Sequence, residues 1–317
     1  MRRPTPLRLA PSRTAPFVSA LAATALLLTA CGTQHAGTAA TASPSRTRVD
    51  DAGKDGVRIT WLTLPAATPT PSPTRSHPVA AETLTFPTDS GISAEYEVTN
   101  ASAAALTYSI TFTFMSADGG SMGNPTATVR DVGPGKTVRG TVRAGILPPG
   151  TPRVTRAKVS TVTAVPASEA PAAPGACPAS GIKVSADQGD AAMGLRVVGL
   201  HLDNCGKRDY TVQGYPLLTL LDDDRKPVTG IAILNGSREI TSSAGDDKPP
   251  RAITLKPGES ATAALVWRNT TQSGTAVNVP YVQVRAKAGA APVTVTPNLD
   301  LGTTGQLGVR PWEKVQR

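Results

Sequence analysis

The stretch that decides the fold is residues 94–114, AEYEVTNASAAALTYSITFTF. Every second residue is apolar from Ala94 to Val98, and again from Tyr108 to Phe114, while the residues between them are acidic or hydroxylated. A period of two is typical of β-strands that have one buried and one solvated face. Asn100-Ala101-Ser102 between the two runs predicts a turn. This stretch is therefore expected to form two adjacent strands.

The same pattern continues towards both ends of the chain, and no amphipathic run long enough for a helix interrupts it. We expect an all-β protein with two immunoglobulin-like, antiparallel β-sandwich domains, at residues 57–165 and 177–317. Residues 166–176 lack large apolar side chains and are expected to be a linker. Inside the first domain, the Pro/Thr-rich segment 65–81 is either a long loop after the candidate strand 57–64 or a linker before the domain.

Two Pro-Gly turns have similar surroundings. Residues 132–137 (VGPGKT) and 255–260 (LKPGES) both place Pro-Gly directly before a candidate strand. Proline presets the backbone of the second turn position and glycine supplies a positive φ at the third. We interpret the similarity as a turn common to sandwich folds and infer no sequence repeat from it.

The N-terminus has the order of a secretory signal peptide. Residues 1–30 contain four arginines, no acidic residue and an apolar run at 17–28. That run would span roughly 18 Å as a helix, well short of the ~30 Å hydrocarbon core of a bilayer. Leu28-Thr29-Ala30-Cys31 resembles the bacterial lipobox, and the resemblance implies cleavage before Cys31 and a diacylglyceryl group on its sulfur. We expect the chain to be anchored on the outer face of the cytoplasmic membrane, with residues 31–56 as a flexible tether.

Charge argues against nucleic acid as a partner. Removal of residues 1–30 takes away four of the basic residues, so the formal net charge falls from +9 to +5. No run of more than two adjacent basic residues remains, and aromatic residues are few. Apart from the membrane contact through the lipid on Cys31, the expected partner is an unknown protein or wall polymer.

Two cysteines remain beside Cys31. Cys177 and Cys205 are expected to form a disulfide, because an exported chain folds in an oxidising compartment. The closed loop would stabilise the fold by roughly 3.5 kcal/mol in the chain-entropy model. A metal site would need further ligands, and a redox pair is more often Cys-x-x-Cys.

The acidic cluster Asp222–Asp224 has two interpretations. It could hold Ca²⁺ through its carboxylates, or it could form a hairpin turn with the basic pair that follows it. The turn is favoured because three consecutive acids cannot all point inward. Asp246-Asp247 is interpreted as a turn in the same way. His201 lies between two leucines in a candidate strand and is expected to face solvent.

Catalytic signatures are weak in the sequence. Gly119–Gly123 fits Gly-x-Ser-x-Gly, but no predicted helix follows it to form the strand–turn–helix context of a nucleophile elbow. Ser180–Lys183 fits Ser-x-x-Lys, but the Ser-Asp-Asn and Lys-Thr-Gly motifs that accompany it in serine acyltransferases are missing, as is a phosphate-binding glycine loop. We therefore expect a non-enzymatic binding or scaffolding protein without a cofactor. The alternative is a wall- or ligand-processing enzyme with a site made from Asp203, Asp222 and Asp224. Trp267 is expected in the core, and Trp312 is expected to dock the C-terminal tail.

Several short motifs of the second domain resemble those of a known family. They are Cys177–Gly181, Ala192–Arg196, Asn204–Gly206, Gln213–Pro216, Leu220–Asp222, Thr254–Ser260 and Leu265–Trp267. Together they resemble the domain of unknown function numbered 4232, a family found in secreted proteins and lipoproteins of actinobacteria. The resemblance covers residues 177–317 and implies a β-sandwich with no established activity and no known functional residue. The first domain is similar to small immunoglobulin-like modules of the FxLYD type.

Overall fold

The computed structural model describes residues 43–66, 89–148, 150–242 and 247–316. Within these ranges every regular element is a β-strand. None of the described residues belongs to a helix long and apolar enough to cross a bilayer. The expected signal peptide, Cys31 and most of the Pro/Thr-rich segment 65–81 lie outside the described residues.

The first sandwich consists of two facing sheets. One has the order β1-β2-β3-β7, and the other has the order β5-β4-β6 with β8 paired to β4. Inward-facing aromatic and aliphatic side chains from both sheets form its core, in which the Tyr96 and Phe112 rings lie 4.8 Å apart. The strands are β1 (Ser45–Arg48), β2 (Val57–Leu64), β3 (Ser93–Thr99), β4 (Leu106–Ser116), β5 (Ser121–Gly123), β6 (Thr126–Val132), β7 (Thr137–Arg143) and β8 (Val154–Pro166).

The candidate strand at residues 57–64 belongs to this sandwich. It pairs with β3 along its length, and Thr63 lies opposite Ser93. The residues between them therefore connect two adjacent strands, which agrees with the loop interpretation of the Pro/Thr-rich segment. β1 pairs with the other edge of β2, so the expected tether of residues 31–56 overlaps a strand. The residues after β1 are also held, because the Asp51 carboxylate accepts the backbone N–H of Ile59 at 2.9 Å.

The second sandwich is larger. Its main sheet has the order β10-β11-β16-β21-β14, with β9 on β11 and β22 on β16, and smaller sheets pair β12 with β15, β17 with β20, and β13-β18-β19. The strands are β9 (Ile182–Ala186), β10 (Asp190–Ala192), β11 (Leu195–Asn204), β12 (Tyr210–Gln213), β13 (Leu217–Leu221), β14 (Ala232–Asn235), β15 (Ala252–Leu255), β16 (Ser260–Arg268), β17 (Val277–Val279), β18 (Tyr281–Arg285), β19 (Val293–Val295), β20 (Leu299–Gly302), β21 (Gln306–Val309) and β22 (Glu313–Lys314).

Both tryptophans of this sandwich are in its core, which was expected for Trp267. Trp267 and Trp312 are each 2% exposed, and the Trp312 indole N–H donates to the Ala286 carbonyl at 3.0 Å. One strand pair departs from the expected antiparallel arrangement, because β14 runs parallel to β21. A parallel pair needs a long connection, which here spans about half of the second domain.

The two sandwiches share a strand register. In the first, Thr99 at the end of β3 lies opposite Thr137 at the start of β7. In the second, Asp203 on β11 lies opposite Ser260 on β16. The side chains of both pairs are hydrogen-bonded, at 2.9 and 2.7 Å. The separation in sequence between Thr99 and Asp203 equals that between Leu106 and Tyr210, and the separation between Thr137 and Ser260 equals that between Val132 and Leu255. Leu106 pairs with Val132 in the first sandwich, and Tyr210 pairs with Leu255 in the second, so these two pairs also correspond.

A buried asparagine follows β3 and ends β11 at the equivalent position. Asn204 is 1% exposed, and its amide N–H groups donate to the carbonyls of Leu255 and Arg208, both at 2.8 Å. Its side-chain oxygen accepts the Gly206 N–H at 3.1 Å. Asn100 is fully buried and makes the equivalent three hydrogen bonds to the carbonyls of Val132 and Ala104 and to the N–H of Ser102.

The Pro-Gly turns dock on these asparagines. The N–H of Gly135 donates to the backbone carbonyl of Asn100, and the N–H of Gly258 donates to that of Asn204, at 2.8 and 2.7 Å. The similarity of the two turns is therefore more than a shared turn type. It belongs to a structural repeat in which register, turn and asparagine all correspond.

The expected linker makes specific contacts with the second sandwich. The Glu169 carboxylate accepts hydrogen bonds from Thr294 Oγ1 at 2.8 Å and Gln283 Nε2 at 3.1 Å. The Tyr281 hydroxyl accepts the Ala164 N–H from β8 at 3.3 Å. All described residues lie in one compact unit, residues 42–317.

Candidate binding surface

The outer face of the β1-β2-β3-β7 sheet has an unusual concentration of charge. Alternation along each strand turns every second side chain outward, and the strand register aligns these side chains in rows across the sheet. Most of them line an open depression of about 960 Å³, and Arg143 lies on the same face outside it. We call this surface the arginine face, and its members are Arg46, Arg48, Arg58, Trp61, Glu95, Glu97, Arg139 and Arg143.

Glu97 lies at the centre of one row. Its Oε2 accepts hydrogen bonds from Arg58 Nη2 at 2.6 Å and Nε at 3.1 Å, and its Oε1 accepts one from Arg139 Nε at 2.9 Å. The Glu97 side chain is 12% exposed, whereas those of Arg58 and Arg139 are 61% and 84% exposed. The hydrogen bond from Arg58 has the largest effect on the pKa of the Glu97 carboxyl, and the hydrogen bond from Arg139 has the next largest. Together they lower this pKa below its usual value, although burial of the carboxyl raises it. The carboxylate therefore stays ionised and holds both guanidinium groups in place.

A second row is built around Trp61. Arg46 Nη2 donates to both carboxylate oxygens of Glu95 at 2.8 Å, and the guanidinium lies 4.4 Å from the centre of the Trp61 ring. This geometry combines an ion pair with a cation–π contact. Among the described residues nothing pairs with Arg48, which is an exposed member of the neighbouring strand.

Acidic residues also line the depression. Asp50 and Asp51 lie at its edge, but the carboxylate of Asp51 is turned to the backbone N–H groups of Gly53 and Ile59. Arg143 pairs with Asp89 at 3.1 Å. The most exposed groups of the face are thus guanidinium N–H donors, while its two glutamates lie beneath or beside them.

The expected disulfide is present. Cys177 and Cys205 are bonded, with their Cα atoms 5.7 Å apart. The bond joins the first residue of the second domain to the residue directly after β11. It therefore fixes the entry of the chain onto a central strand. Cys31, the expected lipidation site, lies outside the described residues.

The acidic cluster Asp222–Asp224 forms the hairpin turn that the sequence favours. The Asp222 side chain accepts the Lys226 N–H at 2.8 Å, and Lys226 Nζ lies 3.2 Å from Asp224. Asp203 has different partners, since it accepts the Ser260 hydroxyl. Within the ranges that the structure describes, no three His, Cys, Asp or Glu side chains are grouped so that they could hold a metal ion.

His201 faces outward, as expected, and has one acidic neighbour. Its Nε2 lies 3.5 Å from Asp187 Oδ2, and both side chains are more than two-fifths exposed. Ser185 is opposite His201 on β9.

Sequence reasoning missed a half-buried acid. Asp247 was interpreted as a turn residue, but its carboxylate accepts the N–H and O–H of Ser237 and pairs with Arg310 at 3.1 Å. Burial opposes its ionisation, but the Ser237 hydrogen bonds and the Arg310 charge outweigh burial and lower the pKa of Asp247. Its partners lie 10 and 63 positions away, so no local motif could reveal them.

These features define an all-β protein with two repeated sandwiches and a disulfide at the start of the second one. Residues 177–313 match the family model described as Domain of unknown function (DUF4232), which confirms the resemblance of the C-terminal domain. No curated protein and no solved structure matches the chain.

Proposed function

We propose that this chain is a lipid-anchored protein of the outer face of the cytoplasmic membrane that binds an anionic wall polymer without catalysis. The observation that supports this function is the arginine face. Arginine is the residue best suited to phosphate and carboxylate groups, because its planar fork donates two parallel hydrogen bonds. Wall polymers outside the membrane offer such groups in repeated array.

The glutamates favour this function because they orient the arginines. A free arginine side chain loses rotamer freedom when it binds a ligand, and that loss weakens binding. Glu97 holds Arg58 and Arg139 through their hydrogen bonds, while the two guanidinium groups remain largely exposed. Arg58 and Arg139 are therefore already partly ordered in the free protein and lose less rotamer freedom when a ligand binds.

The expected anchor suits a surface that acts close to the membrane. Thirteen residues lie between Cys31 and Ser45, the first residue of β1. Even fully extended they would reach at most about 50 Å. The arginine face, to which β1 belongs, would then be restricted to the inner part of the wall.

Binding of a defined polymer tests the site. We expect the chain to bind poly(glycerol phosphate) and not neutral dextran, with an affinity that falls as salt is raised. Arg139→Gln should weaken binding about tenfold, whereas Arg251→Gln on an exposed loop of the second sandwich should leave it unchanged. Equal loss in both variants would point to overall charge instead of the arginine face. Absence of binding by the native chain would refute the polymer as ligand.

The anchor has a separate test. The membrane-extracted protein should have an intact mass that begins at Cys31 and includes a diacylglyceryl group. Cys31→Ser should release the chain from the membrane fraction, with its polymer binding intact. A soluble, unlipidated native chain would contradict the anchor and leave the arginine face untouched.

A further inference from the structure

The second sandwich has an apolar groove beside its edge strand β9. The groove has a volume of about 370 Å³. It is lined by alternate residues of the segments 168–172 and 178–180, by β9, by Tyr210 and by the turn between β18 and β19. This volume is in the range of small-molecule sites in proteins, about 300–1,000 Å³. We call it the alanine groove, because its lining includes Ala170, Ala172, Ala286, Ala288, Ala290 and Ala291.

The groove reaches the core of the sandwich. Val184 and Ala286, which are 4% and 2% exposed, belong to that core and also line the groove. Protein interiors are normally packed as densely as organic crystals. Here short side chains leave an apolar space next to the core, and an apolar body in it would gain contacts that the protein itself does not make.

One side of the groove is held firmly in place. Residues 168–172 lie on either side of Glu169, whose carboxylate is bonded to Thr294 and Gln283. The backbone carbonyl of Glu169 also accepts the Thr294 N–H at 2.8 Å. The groove is therefore formed before a ligand arrives.

The charge at the groove has one sign. Lys183 and Lys287 line it, and no acidic side chain within the described ranges does. Lys287 Nζ donates to the Thr211 carbonyl at 2.8 Å and lies 4.2 Å from the centre of the Tyr210 ring. An ammonium group has three donors, so two remain for a ligand. Lys183 lies 4.0 Å from Asp203, which makes Lys287 the stronger candidate for an anion.

We propose that the alanine groove binds an alkyl carboxylate, with the alkyl chain against the alanines and the carboxylate at Lys287. The apolar lining and the two lysines together select this occupant. A neutral alkane derivative would lack the ion pair, and an alkyl cation would be repelled by both lysines. The site is independent of the arginine face and of its polymer.

Calorimetric titration of the full chain carrying Cys31→Ser tests the proposal, since this variant has no acyl chain of its own to compete. The probes are dodecanoate and dodecyltrimethylammonium, each below its micelle concentration, and dodecanol below its solubility limit. Dodecanoate should bind about tenfold more tightly than dodecanol, and the cation should bind most weakly. Trp312 provides a local signal, because its indole is bonded to the carbonyl of the groove residue Ala286. Its emission should change with the same midpoint.

Two variants separate the apolar from the charged contribution. Ala172→Leu fills the groove and should weaken dodecanoate about tenfold, while Ala232→Leu at an exposed position of β14, outside the groove, should have no effect. Lys287→Met keeps the apolar stem and should reduce dodecanoate to the affinity of dodecanol, while Lys207→Met should not. Thermal unfolding confirms that each variant folds, and Ala291→Leu replaces Ala172→Leu if that variant does not. No dodecanoate binding by the native groove, or equal binding after the groove is filled, would overturn the proposal.

Discussion

Loss of the buried amide at Asn204 should destabilise the second sandwich strongly. The side chain joins the end of β11 to two carbonyl groups and one N–H group, and it is almost fully buried. Asn204→Ala removes three hydrogen bonds. It also leaves the buried Leu255 carbonyl without this donor.

The magnitude can be estimated from these contacts. A net contribution of about 1 kcal/mol for each neutral hydrogen bond gives about 3 kcal/mol. The cost rises above this value because the buried Leu255 carbonyl loses a hydrogen-bond donor. It falls again because the more exposed Arg208 carbonyl can bind water in place of the amide. Asn204→Asp should cost at least as much, because a carboxylate would replace two N–H donors and face two carbonyl oxygens.

Urea unfolding followed by tryptophan emission provides the assay. Trp267 and Trp312 report on the second sandwich, whereas Trp61 reports on the first. Asn204→Ala should lower the urea midpoint of the Trp267 and Trp312 signal, with an unchanged slope. The equivalent variant Asn100→Ala should act on the Trp61 signal.

Asn278→Ala is the matched control, because Asn278 is an exposed asparagine in β17. It should change stability by less than about 0.5 kcal/mol. If Asn204→Ala costs no more than this control, the asparagine does not hold β11 and the Pro-Gly turn together, and the reasoning is refuted.

Three further predictions concern other contacts. The pKa of the Glu97 carboxyl is lower in the folded chain than in the unfolded chain, so its ionised form stabilises the fold fully at a pH above the ordinary pKa of a glutamate. This stabilisation is lost as the pH falls through the lowered pKa of the folded chain. The urea midpoints of the native chain and of Glu97→Gln should therefore converge in acid. Gly140→Val should cost about 1–3 kcal/mol in thermal unfolding, because any Cβ at this position overlaps the Tyr96 ring, and a neutral result would contradict this packing. Double replacement of Cys177 and Cys205 by alanine should cost at most about 3.5 kcal/mol, and a reducing agent should lower the native midpoint but not that of the double variant.

The sequence could predict features that depend on local pattern. Alternation in residues 94–114 predicted β3 and β4, and three consecutive acids predicted the turn after β13. The alternation of Trp267 with its apolar neighbours predicted a core position, which is confirmed. In each case the signal lies within a few residues.

Features that depend on distant pairing could not be predicted. Glu97 is 39 residues from Arg58 and 42 from Arg139, so the arginine face exists only once three strands are in register. The alanine groove likewise combines segments that are more than one hundred residues apart. The equivalence of Asn100 and Asn204 could not be predicted, because only the Pro-Gly turns are similar in sequence. The two asparagines are recognisable as equivalent by the hydrogen bonds that they make in the structure.

The shared register of the two sandwiches has a consequence for how the chain folds. A strand that fits beside β3 in one sandwich has the geometry to fit beside β11 in the other, and exchange of this kind is a known failure of repeated domains. The charged rows distinguish the two. Glu97 is flanked by two arginines, whereas the equivalent His201 is flanked by Ser185 and Thr262. An exchanged strand would leave Glu97 without one of its arginines, so we expect the arginine face also to select the correct partner strand during folding.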